Sequence, residues 1–201
     1  VGGGSVIDCA KGISVSAYCK GDPWQRYWIN FDEVNNEIVP VGSILTMAGT
    51  GSEMNGGSVI TNEDEMLKNG RVFPSNVNPK FSILNPEFTF TVPKYQMVSG
   101  IFDTMSHLME QYFSGNDDNT TDYVLEGIMR SLINSTAVAL ENPQDYEARS
   151  NDNVVRGNRT EHYYRRFKRT GLGGSYDRAS AWRLYRLRAW SWSCCNFCSL
   201  L

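Results

Sequence analysis

Histidine is scarce in this chain. His107 and His162 are its two histidines among 201 residues, so a metal site built from several imidazoles has few candidate ligands. Three of the five cysteines crowd into "CCNFC" (194–198), a spacing that fits neither a disulfide framework nor a zinc site. The composition therefore argues against a disulfide-stapled scaffold and a cysteine-rich zinc module, and neither His162 nor the cysteine cluster receives a function.

Long hydrophobic runs are also lacking. No stretch approaches the length needed to span a bilayer, and "VGGGSVIDCAKG" lacks the basic-then-apolar layout of a signal peptide. We therefore expect a cytoplasmic protein that has no membrane partner. A hydrophobic content of 41% against 20% charged residues excludes wholesale disorder, and the length suffices for one large or two small domains.

Charge changes abruptly near residue 150. Residues 1–150 carry 9 Lys and Arg against 19 Asp and Glu, whereas residues 151–201 carry 10 against 3. Nine of those ten basic residues are Arg, and three of the five Trp lie in the same tail. Arg on phosphates and Trp stacked on bases would suit nucleic acid. A tail that never evolved as protein would look equally foreign.

The beginning of the chain indicates an anion site. A glycine run is followed by Val6, Ile7, Ala10 and Ile13 at helical spacing, with Ser5 as the expected N-cap. A glycine turn that enters a helix presents backbone N–H groups and the positive end of the helix dipole, which suits a pyrophosphate. Plain flexible loops have the same composition, so the alternative remains open.

Short strands are predicted next, at "EIVPV", "SILTM", "GGSVIT" and "FSIL", with a turn at Asn85-Pro86. Between them, "TMAGTGSEMN" (46–55) is dense in Gly, Thr and Ser, which offer donors and close backbone approach to a phosphate or ribose. The alternative is a turn-rich connection.

From residue 94 onward the pattern predicts two long helices, "KYQMVSGIFDTMSHLMEQYFS" and "TTDYVLEGIMRSLINSTAVALENP". The change indicates a domain boundary near Pro93, with a ligand cleft between the two parts. Asp103 and His107 are four residues apart and therefore share one helical face. They are either half of a metal site or a surface pair.

Six stretches together resemble the iron-containing alcohol dehydrogenases, most closely their butanol-dehydrogenase-like branch. They are "VGGGSVIDCAKGIS", "GDPWQRYWI", "ILTMAGTGSEMNGGSVITN", "PKFSILNPEFTFTVP", "FDTMSHLMEQYF" and "ENPQDYEAR". The resemblance covers residues 1 to about 150 in the family's order. It implies a Rossmann-like nucleotide domain, a helical metal-bearing domain, and NAD(P)-dependent interconversion of alcohols and aldehydes in an enzyme that is a homodimer.

The resemblance also implies roles for individual residues. Gly2, Gly3, Gly4 and Ser5 match the pyrophosphate loop, Thr46, Thr50 and Asn55 match a second cofactor-binding stretch, and Lys68 matches a Lys that reaches the ribose. Asp103 and His107 match two of four metal ligands. The implied cofactors are NAD or NADP and a divalent metal, Fe(II) in preference to Zn(II). A zinc-dependent polyol dehydrogenase is the alternative within this class.

The family's other two ligands lie in segments like His-Met-Ile-Glu-His and His-Gly-Ala-Gly, which this chain lacks. Read one nucleotide later, the codons of residues 151–155 permit Met-Ile-Met-Trp-Ser, and "SYDRAS" permits His-Met-Ile-Glu-His. Trp has one codon, so Trp190 and Trp192, each followed by Ser, become Gly within a permitted His-Gly-Ala-Gly. We therefore hypothesise a +1 frame slip near Ser150, with a genuine binding tail or an unrelated fusion as alternatives.

These inferences define the expected organisation. Residues 1–93 form an α/β Rossmann-like layer, incomplete at its N-terminus because only Val1 precedes the glycines. Residues 94–150 form an all-helical metal-binding domain, incomplete at its C-terminus, and residues 151–201 are an out-of-frame tail. We expect the chain as written to be marginally folded, to bind metal poorly and to be inactive alone. The alternative is a non-catalytic nucleotide-binding remnant whose Arg/Trp tail binds nucleic acid.

Overall fold

The first layer of the fold is a small parallel sheet. The computed structural model describes residues 1–49, 51–113 and 120–157. Strands β1 (Gly2–Gly3), β2 (Ser43–Met47) and β5 (Ser82–Ile83) pair in the order β1-β2-β5. Gly3 lies opposite Met47, and Ser43 lies opposite Ser82. The strand predicted at "SILTM" is confirmed, whereas "FSIL" contributes only its two central residues.

Helix α1 (Gly4–Ser16) follows β1 directly, as the glycine run predicts. The helix is capped by the backbone of Gly3, so the expectation that Ser5 is the N-cap is wrong, and Ser5 lies exposed in the first turn. The predicted apolar face is also wrong in part, because Val6 and Ile13 are 50% and 64% exposed. The buried face instead carries Ile7, Asp8, Lys11, Gly12, Ser14 and Val15.

Helix α1 packs against an antiparallel hairpin of β3 (Gly57–Asn62) and β4 (Leu67–Val72). The strand predicted at "GGSVIT" is confirmed as β3, and β4 was not predicted. A π-helical segment, Trp24–Ile29, closes the far side of this unit. The buried aromatic side chains of Tyr27, Trp28 and Phe73 fill the space between these elements.

The strand predicted at "EIVPV" does not form. Residues 37–41 have no regular structure, although the amide of Val39 donates to the carbonyl of Ser14 at 3.3 Å and the carbonyl of Val41 accepts from the amide of Lys80 at 2.7 Å. Pro40 lies between these two bonds and has no N–H to offer a neighbouring strand, which explains why no ladder continues here.

The second layer is helical. It consists of α2 (Lys94–Tyr112), α3 (Thr120–Glu141) and α4 (Tyr146–Gly157), of which the sequence predicted the first two. Pro93 is the residue immediately before α2. Helix α4 runs across residue 150, where the predicted tail begins. The core of this layer is apolar and comprises Met97, Ile101, Leu108, Leu125, Leu132, Ala139, Ala148 and Val155.

Arg149 joins the two layers. Its side chain is buried, and its guanidinium donates from Nε to Thr89 Oγ1 at 3.2 Å and from Nη2 to the Thr89 carbonyl. Thr89 ends the short 3₁₀ helix Pro86–Thr89, which Asn85 caps by accepting from the amide of Glu87 at 3.1 Å. The helical layer is therefore fixed to the segment that follows β5. Within the ranges given above, no helix is both long and apolar enough to cross a membrane.

Two adjacent residues of α3 test this packing. Leu132 is fully buried and Ile133 is 58% exposed, so Leu132→Ala creates a cavity whereas Ile133→Ala trims a surface side chain. We expect Leu132→Ala to lower the free energy of unfolding by about 2–5 kcal/mol and Ile133→Ala by less than about 1 kcal/mol. Urea unfolding followed by circular dichroism measures both. Equal losses would show that the face of α3 is wrongly placed.

Candidate functional site

The glycine turn, residues 2–4, where β1 ends and α1 begins, forms the first part of the site. A Cβ added at Gly2 would lie 2.7 Å from the Cβ of Val6, so a side chain at this position clashes with the first turn of α1. No side chain of the described residues caps that turn. The first N–H groups of α1 therefore lie at the positive end of the helix dipole without a side-chain cap, an arrangement that suits an anion.

The connection after β2 lies beside this turn. Because β1 and β2 are parallel and Gly3 is opposite Met47, both strands end at the same edge of the sheet. Thr46 is half-buried on β2 and, by strand alternation, points to the face opposite Leu45. Gly51 has φ of 64°, a left-handed conformation that glycine adopts without strain. Thr50 lies outside the described residues.

Asn55 is held in place by a lysine from α1. Lys11 Nζ donates to the carbonyl oxygen of Asn55 at 3.0 Å, to its Oδ1 at 3.3 Å, and to the carbonyl of Gly57. The same Asn55 Oδ1 accepts from the amide of Gly57 at 2.8 Å. The end of the loop is thus connected to the middle of the helix that the glycine turn begins.

Asp8 fixes the other part of the loop to the same helix. Its carboxylate accepts from Ser52 Oγ and from the amide of Val59, the latter at 3.0 Å, and lies 3.6 Å from Lys11 Nζ. Burial lowers the pKa of Lys11 from 10.5 to about 8, although Asp8 and Glu53 act in the opposite direction. The position of the loop that Lys11 holds therefore depends on the charge of this buried ammonium group.

Sequence reasoning missed Asp8 and Lys11. Both lie on the helical stripe that contains Ile7 and Val15. Two charged residues three apart on an otherwise apolar stripe are the signal that could have revealed a buried pair.

Lys68 is placed apart from this network. It is exposed on β4, opposite Thr61 and close to the turn of the hairpin. Its role at a ribose stays a prediction.

Asp103 and His107 lie one turn apart on α2. His107 Nε2 is 3.5 Å from Asp103 Oδ1, close to the roughly 3.4 Å that separates two ligands of one tetrahedral ion at 2.1 Å from each. Glu110 Oε2 lies 3.7 Å from the other ring nitrogen. The pair fits half of a metal site. Residues 1–49, 51–113 and 120–157 contain no group of three or more His, Cys, Asp and Glu able to hold an ion.

A small cavity lies between the two layers. It is lined by Met47 and Ala48 at the end of β2, by Thr89, by Met97 of α2, and by Arg149 and Asn153 of α4. The cavity thus lies where the end of β2 meets α2 and α4, and a space between two layers is a common place for a ligand.

Profiles of one family match both layers. The profile described as "Iron-containing alcohol dehydrogenase" matches residues 1–86, and that described as "Fe-containing alcohol dehydrogenase family, C-terminal" matches residues 97–158. The chain belongs to the iron-containing alcohol dehydrogenase family.

Individual relatives agree with this assignment. The chain is 43% identical over 152 residues to NADH-dependent butanol dehydrogenase A of Clostridium acetobutylicum, a match that covers 75% of this chain and 38% of the relative. It is 37% identical over 154 residues to an NADPH-dependent aldehyde reductase of Escherichia coli, a match that covers 75% of this chain and 39% of that enzyme. The chain thus spans about two fifths of the length of these relatives.

A solved structure shows the same fold. The NADH-dependent butanol dehydrogenase A of Thermotoga maritima superposes with a TM-score of 0.75 at 37% identity, over 81% of this chain and 40% of that chain. The predicted order of an α/β layer followed by a helical layer is therefore that of solved members of the family.

Proposed function

We propose that the chain is part of an NAD(P)-dependent oxidoreductase that interconverts primary alcohols and aldehydes by hydride transfer. The observation that carries this proposal is the shared edge at which the glycine turn and the β2–β3 loop lie side by side, next to the helical layer that holds Asp103 and His107. The two relatives described above, a butanol dehydrogenase and an aldehyde reductase, support the reaction class.

The cofactor in this proposal is NAD or NADP. Gly2, Gly3, Gly4 and Ser5 would hold the pyrophosphate through the free N–H groups at the start of α1. Thr46, Asn55 and Lys68 would contact the remainder of the dinucleotide, together with Thr50 outside the described residues. The bound cofactor supplies or accepts the hydride, and the protein orients it.

The proposed metal is Fe(II) in preference to Zn(II), held by Asp103, His107 and two ligands that the described residues do not provide. Asp103 and His107 would hold the ion, whose chemistry there would be to polarise the substrate oxygen as a Lewis acid. Carboxylate and imidazole ligands suit both metals, so the preference for iron rests on the family. A homodimer in the cytoplasm that acts on small alcohols or aldehydes completes the proposal.

The division into residues 1–93, 94–150 and an out-of-frame segment 151–201 is also a proposal. Helix α4 supports this division at one point, because Asp152 and Asn153 are buried, at 2% and 4% exposed. The side-chain nitrogen of Asn153, Nδ2, has no hydrogen-bond partner among the described residues. Burying such a group is costly, and the shifted reading permits Ile and Met there. The match to the C-terminal family profile, in contrast, continues past the proposed boundary at residue 150 and ends at residue 158. The nucleic-acid alternative rests on a tail outside the described residues.

Dinucleotide binding is tested at Gly3. A Cβ at Gly3 would lie 3.5 Å from the Cβ of Met47, an ordinary contact, so Gly3→Ala preserves the fold but places a methyl group on the turn that a phosphate must approach. We expect Gly3→Ala to raise the Kd for NADH about tenfold or more. The measurement is NADH fluorescence on binding.

The matched control is Gly12→Ala. Its Cβ would likewise meet its nearest neighbours, Ile60 and Trp28, at 3.5 Å, but it lies in the middle of α1. Gly12→Ala should leave the Kd unchanged. If Gly3→Ala binds NADH as the original chain does, or if the original chain binds none, the glycine turn is not a dinucleotide site in this protein.

The half metal site is tested with Co(II), a spectroscopic substitute for iron and zinc. With two of four ligands, we expect the chain to bind Co(II) weakly, and Asp103→Asn or His107→Gln to abolish binding in equilibrium dialysis. His162→Gln, which changes the one other histidine, should have no effect. Tight stoichiometric binding, or binding that survives Asp103→Asn, would contradict the assignment.

A further inference from the structure

We propose that Lys11 is the positioning residue of the nucleotide site: it anchors the β2–β3 loop to α1 and so fixes that loop beside the glycine turn. The inference rests on the proposed binding of a dinucleotide. Lys11 lies in the middle of α1, away from the glycine turn, and its Nζ is fully buried. It therefore acts through the groups that it holds, not by contact with a phosphate.

The three hydrogen bonds from Lys11 to Asn55 and Gly57 end on one short segment. Its Nζ donates to two oxygens of Asn55 and to the carbonyl of Gly57. The main-chain carbonyls of Asn55 and Gly57 therefore both point toward the helix. The loop between Met47 and Asn55 is consequently held at both ends, by the parallel pairing of β2 and by Lys11.

The neighbouring groups show why a lysine occupies this position. Asp8 on α1 and Glu53 on the 3₁₀ helix Ser52–Met54 are the charged groups that act on Lys11, and the hairpin contributes the Gly57 carbonyl. A long ammonium side chain reaches three acceptors from the middle of a helix and places a positive charge beside these buried carboxylates. A neutral apolar side chain of the same length would fill the space but donate to none of the three oxygens, of which Asn55 Oδ1 alone would keep a second donor, the amide of Gly57.

The charge of Lys11 makes the anchor sensitive to pH. Because burial lowers its pKa to about 8, Lys11 loses its proton in the folded protein as the pH rises through that value. The neutral amine keeps two hydrogens for three acceptors and no longer balances Asp8. The affinity for NADH should therefore fall between pH 7 and pH 9.5, with a midpoint near 8.

The experiment compares Lys11→Met with the original chain at pH 7 and pH 9.5. We expect Lys11→Met to raise the Kd for NADH about tenfold at pH 7. It should also remove the pH dependence of the Kd, because the group whose titration causes that dependence is gone while every other titratable group is retained. Lys20→Met, which changes an exposed lysine, is the matched control and should behave as the original chain. Lys11→Gln restores a neutral donor, so it should recover part of the affinity without recovering the pH dependence.

Hydrogen exchange without nucleotide separates this inference from the proposed function. In Lys11→Met the amides of residues 55–59 should exchange faster, while the β3–β4 ladder beyond Val59 keeps its protection. Unchanged exchange at residues 55–59 together with unchanged NADH affinity would overturn the anchor. If the original chain binds no NADH, the proposed function fails. Faster exchange at residues 55–59 in Lys11→Met would in that case still show that Lys11 anchors the loop. Should Lys11→Met not fold, the same comparisons are made with Lys11→Gln.

Discussion

The parallel pairing of Gly2 and Gly3 with β2 is the constraint on which the site depends. It brings the start of α1 and the loop after β2 to one edge of the sheet. Asp8 and Lys11 then join the helix to the loop through buried hydrogen bonds. Buried polar networks of this kind are stable when their acceptors are satisfied, so the glycine turn at the start of α1 and the loop after β2 fix each other's position.

Features with a local cause were predictable from the sequence. The glycine run, the β2 segment "SILTM" and the two long amphipathic helices follow from turn chemistry and hydrophobic periodicity. The spacing of Asp103 and His107 similarly gives their shared face and, in the structure, a separation of 3.5 Å between their side-chain atoms. The change of pattern near Pro93 likewise indicated the order of the layers, and the family resemblance added that the first layer is Rossmann-like.

Features set by tertiary contacts were not predictable in the same way. Strand β4 contains Asn69-Gly70, a pair that favours a turn, whereas the actual turn places Met66 at φ of 51°. The buried face of α1 was misjudged because the remaining partners of the Asp8–Lys11 ion pair, Asn55 and Val59, lie more than forty residues away in the sequence. The π-helix Trp24–Ile29 depends on aromatic packing against Phe73, and α4 carries polar residues into an apolar core.

This chain belongs to the iron-containing alcohol dehydrogenase family, and we propose that its missing metal ligands are encoded out of frame. The most direct test is to resequence the gene across codons 145–201 and beyond on both sides. The account predicts that a single-base correction opens a frame that encodes His-Met-Ile-Glu-His followed by His-Gly-x-Gly, the two segments absent from this chain. Confirmation of the present frame across these codons would contradict it, and Asp103 and His107 would then be relics of a lost site.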